Sequence, residues 1–282
     1  MASEIRQKCV ACESTQNVPI NLKFGYEGKI CLNCNLVWAV NVLGTKQLYE
    51  SAYDKNSQDF VWQSYLDAYE RVKSTQRASF YWFEQYFLKK NRPFGSKNLL
   101  EIGCGVGRFL LGCKNTGWQI HGLDISDKAV EMSKKLMPDD DFQIGTVEES
   151  KWPKESFEAI TCWEVIEHVN DPFIFVSKIK ELLTNDGIFA FSTPDWDNWL
   201  IRRNPRKNYW PPFHNWFFSE KSIKALLERA GLKIIKIKRR LFPWGETNWP
   251  RWRRILSIPW LIYKGVILNQ GGGRLVVLAK KP

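Results

Sequence analysis

The sequence predicts an α/β chain: a doubly wound, mainly parallel sheet with a small cysteine knuckle ahead of it. Three observations predict it. From Asn98 onward, short apolar runs alternate with amphipathic segments, the pattern of strands and helices taken in turn. A glycine-rich turn, Gly103 to Gly107, follows the first of these runs. Two C-x-x-C pairs, Cys9/Cys12 and Cys31/Cys34, precede all of it. The expected organisation is a knuckle over 1–45, a helical lid over 46–95 and the main domain over 96–282, with a basic aromatic insert at 241–270.

Composition narrows the class. The chain has 282 residues, 44% hydrophobic and 25% charged, which excludes wholesale disorder and allows one large domain with an appendage. No apolar run reaches the roughly 18 to 20 residues a spanning helix needs; the nearest, 255–268, is broken by Ser257, Pro259 and Lys264. The opening Met-Ala-Ser-Glu-Ile-Arg lacks an apolar signal core, so a cytoplasmic protein with reduced thiols is expected. Charge is uneven: the net is +11, yet residues 200–282 hold 19 basic and 3 acidic residues. Eight of the 14 tryptophans lie between Trp196 and Trp260. A basic aromatic third suits an anionic neighbour, whether nucleic acid, membrane surface or phosphorylated substrate, or it is a solvated face.

In the knuckle, 18 residues separate the two C-x-x-C pairs, a structural zinc spacing. Each turn aims two thiolates at one point, and Cys9, Cys12, Cys31 and Cys34 complete a tetrahedron with no open position. The stretch from Val18 through Gly25 and Gly28 suits a short hairpin. So small a module buries little core by itself, so metal binding would supply its folding energy. Cys104, Cys113 and Cys162 read as small buried residues.

Apolar spacing over 46–92, such as Tyr65, Tyr69, Val72 and Phe80, Phe83, Phe87, predicts two or three helices. Strands are then expected at Asn98–Ile102, Gln119–Asp124, Asp141–Gly145, Phe157–Trp163, Ile188–Ser192, Leu232–Lys238 and Arg274–Ala279. Helices follow at Arg108–Lys114, from the N-cap Ser126, at Pro172–Leu183, and at Ser219–Ala230 before Gly231. Ligands of such sheets bind beyond the carboxyl ends of the strands.

The glycine turn reads G-x-G-x-G, without the G-x-G-x-x-G of dinucleotide binders and without the Gly-Lys-Ser/Thr of a P-loop. Glu101, just ahead of it, would be unwelcome beside a pyrophosphate and suits a ligand with an ammonium and a sulfonium. Asp124 ends the second strand, where an acid grips ribose hydroxyls. These features favour S-adenosylmethionine over NAD.

The ordered strings Leu99-Leu-Glu-Ile-Gly-Cys-Gly-Val-Gly-Arg-Phe-Leu110, Gly122-Leu-Asp124, Gly145-Thr-Val-Glu-Glu149 and Cys162-Trp-Glu-Val-Ile-Glu-His168-Val169 resemble the successive motifs of class I S-adenosylmethionine-dependent methyltransferases. The resemblance implies a Rossmann-like seven-stranded sheet. Cys31-Leu-Asn-Cys34-Asn-Leu-Val-Trp38, with Tyr49 to Tyr53 downstream, resembles the zinc-binding head of methyltransferases of surface-glycan biosynthesis. By the class I resemblance, Glu101, Gly103, Cys104, Gly105 and Gly107 would shape the methionine pocket. Asp124 would hold the ribose, Ile125 would flank the adenine, and Trp163 would lie near the methyl donor. Thr146 and Val147 stand where the family often has Asp-Ala, so the adenine amine would fall to other groups.

A hydroxyl acceptor needs a proton removed. Of the three histidines, His121 lies inside a strand and reads as structural, whereas His168 and His214 are candidate bases. Glu164, Glu167 and His168 would share one face if helical, and the same Glu-x-x-Glu-His string in ubiquinone-biosynthesis O-methyltransferases points to a magnesium-type site there. The expected acceptor is a small molecule, a glycan precursor or an isoprenoid-like hydroxyl compound, anionic or lipid-linked. The 241–270 insert would touch a membrane face or a substrate phosphate, or cap the sheet edge. An RNA methyltransferase and a non-catalytic binding protein with this fold are the rival readings. A knuckle that is not basic, and the absence of an Asn/Asp-Pro-Pro-Tyr string, weigh against RNA.

Overall fold

The structure, a computed structural model, describes residues 7–42, 66–70, 72–73, 82–92, 95, 97–203, 209–240 and 273–282. The 241–270 insert and most of the 46–95 stretch lie outside them; within that stretch 66–70, 72–73 and the helix α1 (Trp82–Lys90) are helical.

At the N-terminal end, β1 (Asn17–Asn21) and β2 (Glu27–Cys31) form the expected antiparallel hairpin. Phe24 and Gly25, both at positive φ, make its turn. β3 (Val37–Ala39) adds to β2. The fourth strand of this small sheet comes from far along the chain: β9 (Trp216–Phe217) pairs with β3.

The central sheet has seven strands. They are β4 (Asn98–Ile102), β5 (Gln119–Asp124), β6 (Asp141–Ile144), β7 (Phe157–Trp163), β8 (Leu183–Pro194), β10 (Lys233–Arg240) and β11 (Arg274–Lys280), in the order β10-β11-β8-β7-β4-β5-β6. β4 to β8 are parallel, and β4, β7 and the second half of β8, at the centre of the sheet, are buried and largely apolar. β11 slots antiparallel between β8 and β10. The connections run outward in both directions from the β4/β7 neighbours, so the switch point lies at their carboxyl ends.

Capping sets the helix starts. α2 (Arg108–Lys114) follows the glycine turn directly. The Ser126 hydroxyl accepts from the Ala129 N–H to open α3 (Asp127–Leu136). Asp171 accepts from Phe173 and Ile174, with Pro172 in the first turn, to open α4 (Pro172–Leu182). A single turn, α5 (Trp199–Arg202), follows β8. Ser219 and Ser222 cap α6 (Glu220–Arg229) reciprocally, and Gly231 at φ 73° ends it. No helix among the described residues is long and apolar enough to cross a membrane.

The knuckle is not a separate bead. Cys9, Val10, Leu36 and Trp38 belong to one apolar cluster with Leu100, Phe157, Phe189, Leu226 and Leu275 of the main domain. Metal binding therefore need not supply all of its folding energy, because the knuckle borrows core from the sheet.

Candidate active site

Three glycines build the floor. Gly103, Gly105 and Gly107 all sit at positive φ, which a side chain rarely adopts. The Gly103 N–H donates to the Leu123 carbonyl at 2.7 Å, and the Ser133 hydroxyl of α3 donates to the Gly105 carbonyl at 2.8 Å. The loop is thus fastened to β5 on one side and to α3 on the other. A Cβ on Gly103 would run into Val165, whose β-branched side chain cannot swing aside. Gly103→Ala should therefore cost about 1–3 kcal/mol of stability, read as a lowered denaturant midpoint. A midpoint unchanged from the parent would show that the loop has slack.

Two buried carboxylates face this floor. Asp124 accepts from the Gly105 N–H at 2.8 Å with one oxygen and from the Ser126 N–H at 2.9 Å with the other. Burial raises its carboxyl above the usual range despite those bonds. Glu101 is 2% exposed, and its Oε2 is without a hydrogen-bond partner. Burial, and then the nearby Asp124, push Glu101 well above the usual carboxylate range. A buried pair of acids with an orphaned acceptor suits a cationic ligand, which would favour their charged forms.

A cleft of about 680 Å3 opens beside them. Gly103, Cys104, Gly105, Asp124, Ile125, Thr146, Val147 and Trp163 all line it, as do Glu164, His168 and Arg274. Of the residues expected to touch a nucleoside donor, only Glu101 and Gly107 stand behind this lining. The Trp163 ring packs edge-on against Phe109 at 5.3 Å, and its buried Nε1–H has no acceptor. Arg274 could not be foreseen from the sequence; it opens the last strand, and only the slot of β11 beside β8 brings it here. Glu148, which has no signal beyond its place after Val147, also lines the cleft, and burial raises its carboxyl.

The two candidate histidines meet. Their rings lie perpendicular, 4.6 Å apart. His168 lines the cleft, whereas His214 sits behind it, 8% exposed. The His168 Nδ1 lies 2.7 Å from the Phe213 carbonyl oxygen. A carbonyl only accepts, so Nδ1 carries the proton and Nε2 keeps its lone pair. Burial holds His168 down at about 4. Burial, followed by His168 and Arg274, holds His214 well below the ordinary imidazole value. Both rings are neutral at neutral pH. His121, by contrast, sits at 3.1 Å from Asp141 in the sheet, as its structural reading requires.

The helical face expected of Glu164, Glu167 and His168 does not form. Residues 164–170 hold no helix, and Glu164 itself adopts φ 58°. Glu164 is drawn off to Arg274 at 2.9 Å and to the Ser192 hydroxyl at 2.7 Å. Glu167 is buried, accepting from the Thr193 hydroxyl at 3.0 Å, with Oε1 unpartnered. What lies within 4.8 Å is Glu167 with His168 and His214, one oxygen and two nitrogens. Magnesium prefers an all-oxygen shell, so these residues do not fit the magnesium expected there.

Outside the lining of the cleft, Cys9, Cys12, Cys31 and Cys34 bring their sulfurs within 4.8 Å of one another, all as free thiols. Cys9 to Cys34 and Cys12 to Cys31 are each 3.5 Å. Tetrahedral zinc with bonds of about 2.3 Å would space its sulfurs about 3.8 Å apart, so the four-cysteine cluster fits a zinc head. Hydrogen bonding with Cys34 holds the Cys9 thiol down, towards the thiolate form that a metal takes, while the same contact and burial hold Cys34 up.

The Methyltransferase domain family matches residues 76–237, more than half of the chain. The chain belongs to that family. It is an S-adenosylmethionine-dependent methyltransferase. It is 28% identical over 190 residues to a ubiquinone biosynthesis O-methyltransferase of Dinoroseobacter shibae, covering 61% of this chain and 74% of that protein. With its counterpart in Actinobacillus pleuropneumoniae it shares 32% identity over 114 residues, spanning 37% of this chain and about half, 48%, of that relative. A methyltransferase of Haloferax volcanii, solved in complex with the Trm112 methyltransferase activator, superposes with a TM-score of 0.59 at 16% identity, over 78% of this chain and 96% of that one. The last similarity is one of fold.

Proposed function

We propose that this methyltransferase acts on a hydroxyl of a small molecule, with His168 as the base. One observation carries the reading: the unprotonated Nε2 of His168 belongs to a ring that lines the same cleft as the glycine loop and Asp124. Glu101 and Asp124 would take the ammonium and ribose of the donor, and Trp163 would wall its reactive end. Bound there, S-adenosylmethionine supplies an electrophilic methyl on a good leaving group. The chain must then align the acceptor, exclude water and receive one proton. As an oxygen gains a methyl its proton becomes strongly acidic, so an imidazole with a low pKa is an adequate base. His214 stands behind His168 and holds that ring edge-on.

The acceptor class follows from the walls. Arg274 and Trp163 offer N–H groups and Ile125, Val147, Val165 and Val169 offer apolar surface, which fits a glycan precursor or an isoprenoid-like compound bearing polar substituents. Zinc on Cys9, Cys12, Cys31 and Cys34 completes the reading, as a structural ion with no open position.

The test is to incubate the protein with methyl-labelled donor and separated cell fractions. Label should enter the small-molecule or lipid fraction as an alkali-stable ether. Label in RNA, or on nitrogen, would overturn the proposal.

A further inference from the structure

We infer that the four-cysteine head is a positioning element for the His168–His214 pair, so that metal loading of the head governs the placement of the base. The inference rests on the proposed role of His168 and deepens it.

The segment Phe213–Phe218 is the link. It has almost no framework of its own, since β9 is only two residues long. On one side the head holds it: Val37 pairs with Phe217 and Trp38 with Trp216, and the Ala39 N–H donates to the Asn215 carbonyl at 2.9 Å. On the other side the same segment grips the turn that bears the base. The N–H groups of Asn215 and Trp216 both donate to the Glu167 carbonyl, at 3.0 and 3.2 Å, and Trp216 Nε1 donates to the Val169 carbonyl at 2.7 Å. The Phe213 carbonyl is the acceptor that fixes the His168 tautomer. Residues 167 to 169 are therefore bonded from outside, by a strip that the head supports.

The metal-binding loops are tied to the same strip. The Ser219 hydroxyl, one residue past Phe218, donates to the carbonyl of Cys34 at 3.3 Å. At the far end of α6, Arg229 bonds to the Val10 carbonyl and to Glu13 at 3.0 Å, and lies over the Phe173 ring of α4. Val10 stands between Cys9 and Cys12. A bound ion would tie the two C-x-x-C turns to one point, adding to the thiol–thiol contacts of 3.5 Å, so an empty head would slacken β3, and β3 would release the strip. The sheet would lose little, because β4, β5 and β7 pair only with one another and with β6 and β8.

The experiment uses the full chain, labelled uniformly with 15N, with zinc bound and after removal of zinc by a chelator. The zinc-bound protein should show a His168 ring N–H on Nδ1 and slow exchange of the Asn215 and Trp216 amides. Stripping should abolish that ring signal and raise exchange at those two amides at least tenfold, while the amides of β4 and β5 stay protected. Ala39→Pro removes one N–H facing the strip and leaves every cysteine in place. It should produce the same two changes with zinc still bound. Persistence of the ring signal in either sample would overturn the inference, and so would loss of protection spread evenly over β4 and β5. Neither readout depends on turnover, so a failed acceptor assignment and a failed coupling are separable.

Discussion

Replacing His168 with alanine should slow methyl transfer by about 10^2 to 10^4-fold, the range that a positioned base supplies, while the affinity for S-adenosylmethionine stays close to that of the parent. The argument is positional. His168 lines the cleft, and its Nδ1 bonds to the Phe213 carbonyl, which is no part of the glycine loop that forms the donor floor. Its removal deletes a proton acceptor and leaves that floor intact. The pH profile carries the same information. A base works unprotonated, so its contribution is lost as pH falls through its own pKa. With His168 held at about 4, the acid limb of kcat at saturating donor should lie near pH 4. A limb near 6.5, the ordinary imidazole value, would place the base elsewhere. His214→Ala should slow transfer less, because it removes only the ring that supports His168.

Asp124→Ala should do the reverse, weakening donor binding about 100-fold, close to 2.7 kcal/mol, with the proton acceptor untouched. Asp124 has two duties. It is the acid at the tip of β5 that would meet ribose, and its oxygens already hold the N–H groups of Gly105 and Ser126. Alanine leaves both buried donors unpaired, at about 1–3 kcal/mol for each such group, so the melting temperature should fall along with affinity. Asp124→Asn keeps one acceptor oxygen and should land between the two. Calorimetric titration of each variant with donor, beside a thermal melt, separates the effects. Full affinity in Asp124→Ala would remove this residue from the donor site.

Much of the scaffold was legible because buried parallel strands announce themselves. Asn98–Ile102 and Phe157–Trp163 are largely apolar runs, and the structure places strands at those bounds. The glycine turn and Asp124 were legible for a related reason: positive φ and a strand-tip acid leave residue types that few other roles demand. Strand order was not legible. Nothing local in Arg274–Lys280 says that it will lie antiparallel beside β8, and Arg274 reaches the cleft only by that placement. The two-residue β9 carries no period to read. At Glu164, Glu167 and His168 the spacing misled: three residues at helical intervals fell on a turn, because Glu164 takes a left-handed conformation as β7 ends. The meeting of His168 with His214, and the shared core of head and sheet, are contacts between distant segments, which packing decides and pattern does not.

The histidine ring spectrum tests the central claim most directly, since the chain has three histidines to assign. Adding S-adenosylhomocysteine to the 15N-histidine protein should shift the His168 signals, carry His214 along through ring contact, and leave His121 where it was. That outcome would put donor and base in one cleft. Binding that moves His121, or that leaves His168 unmoved, would contradict it.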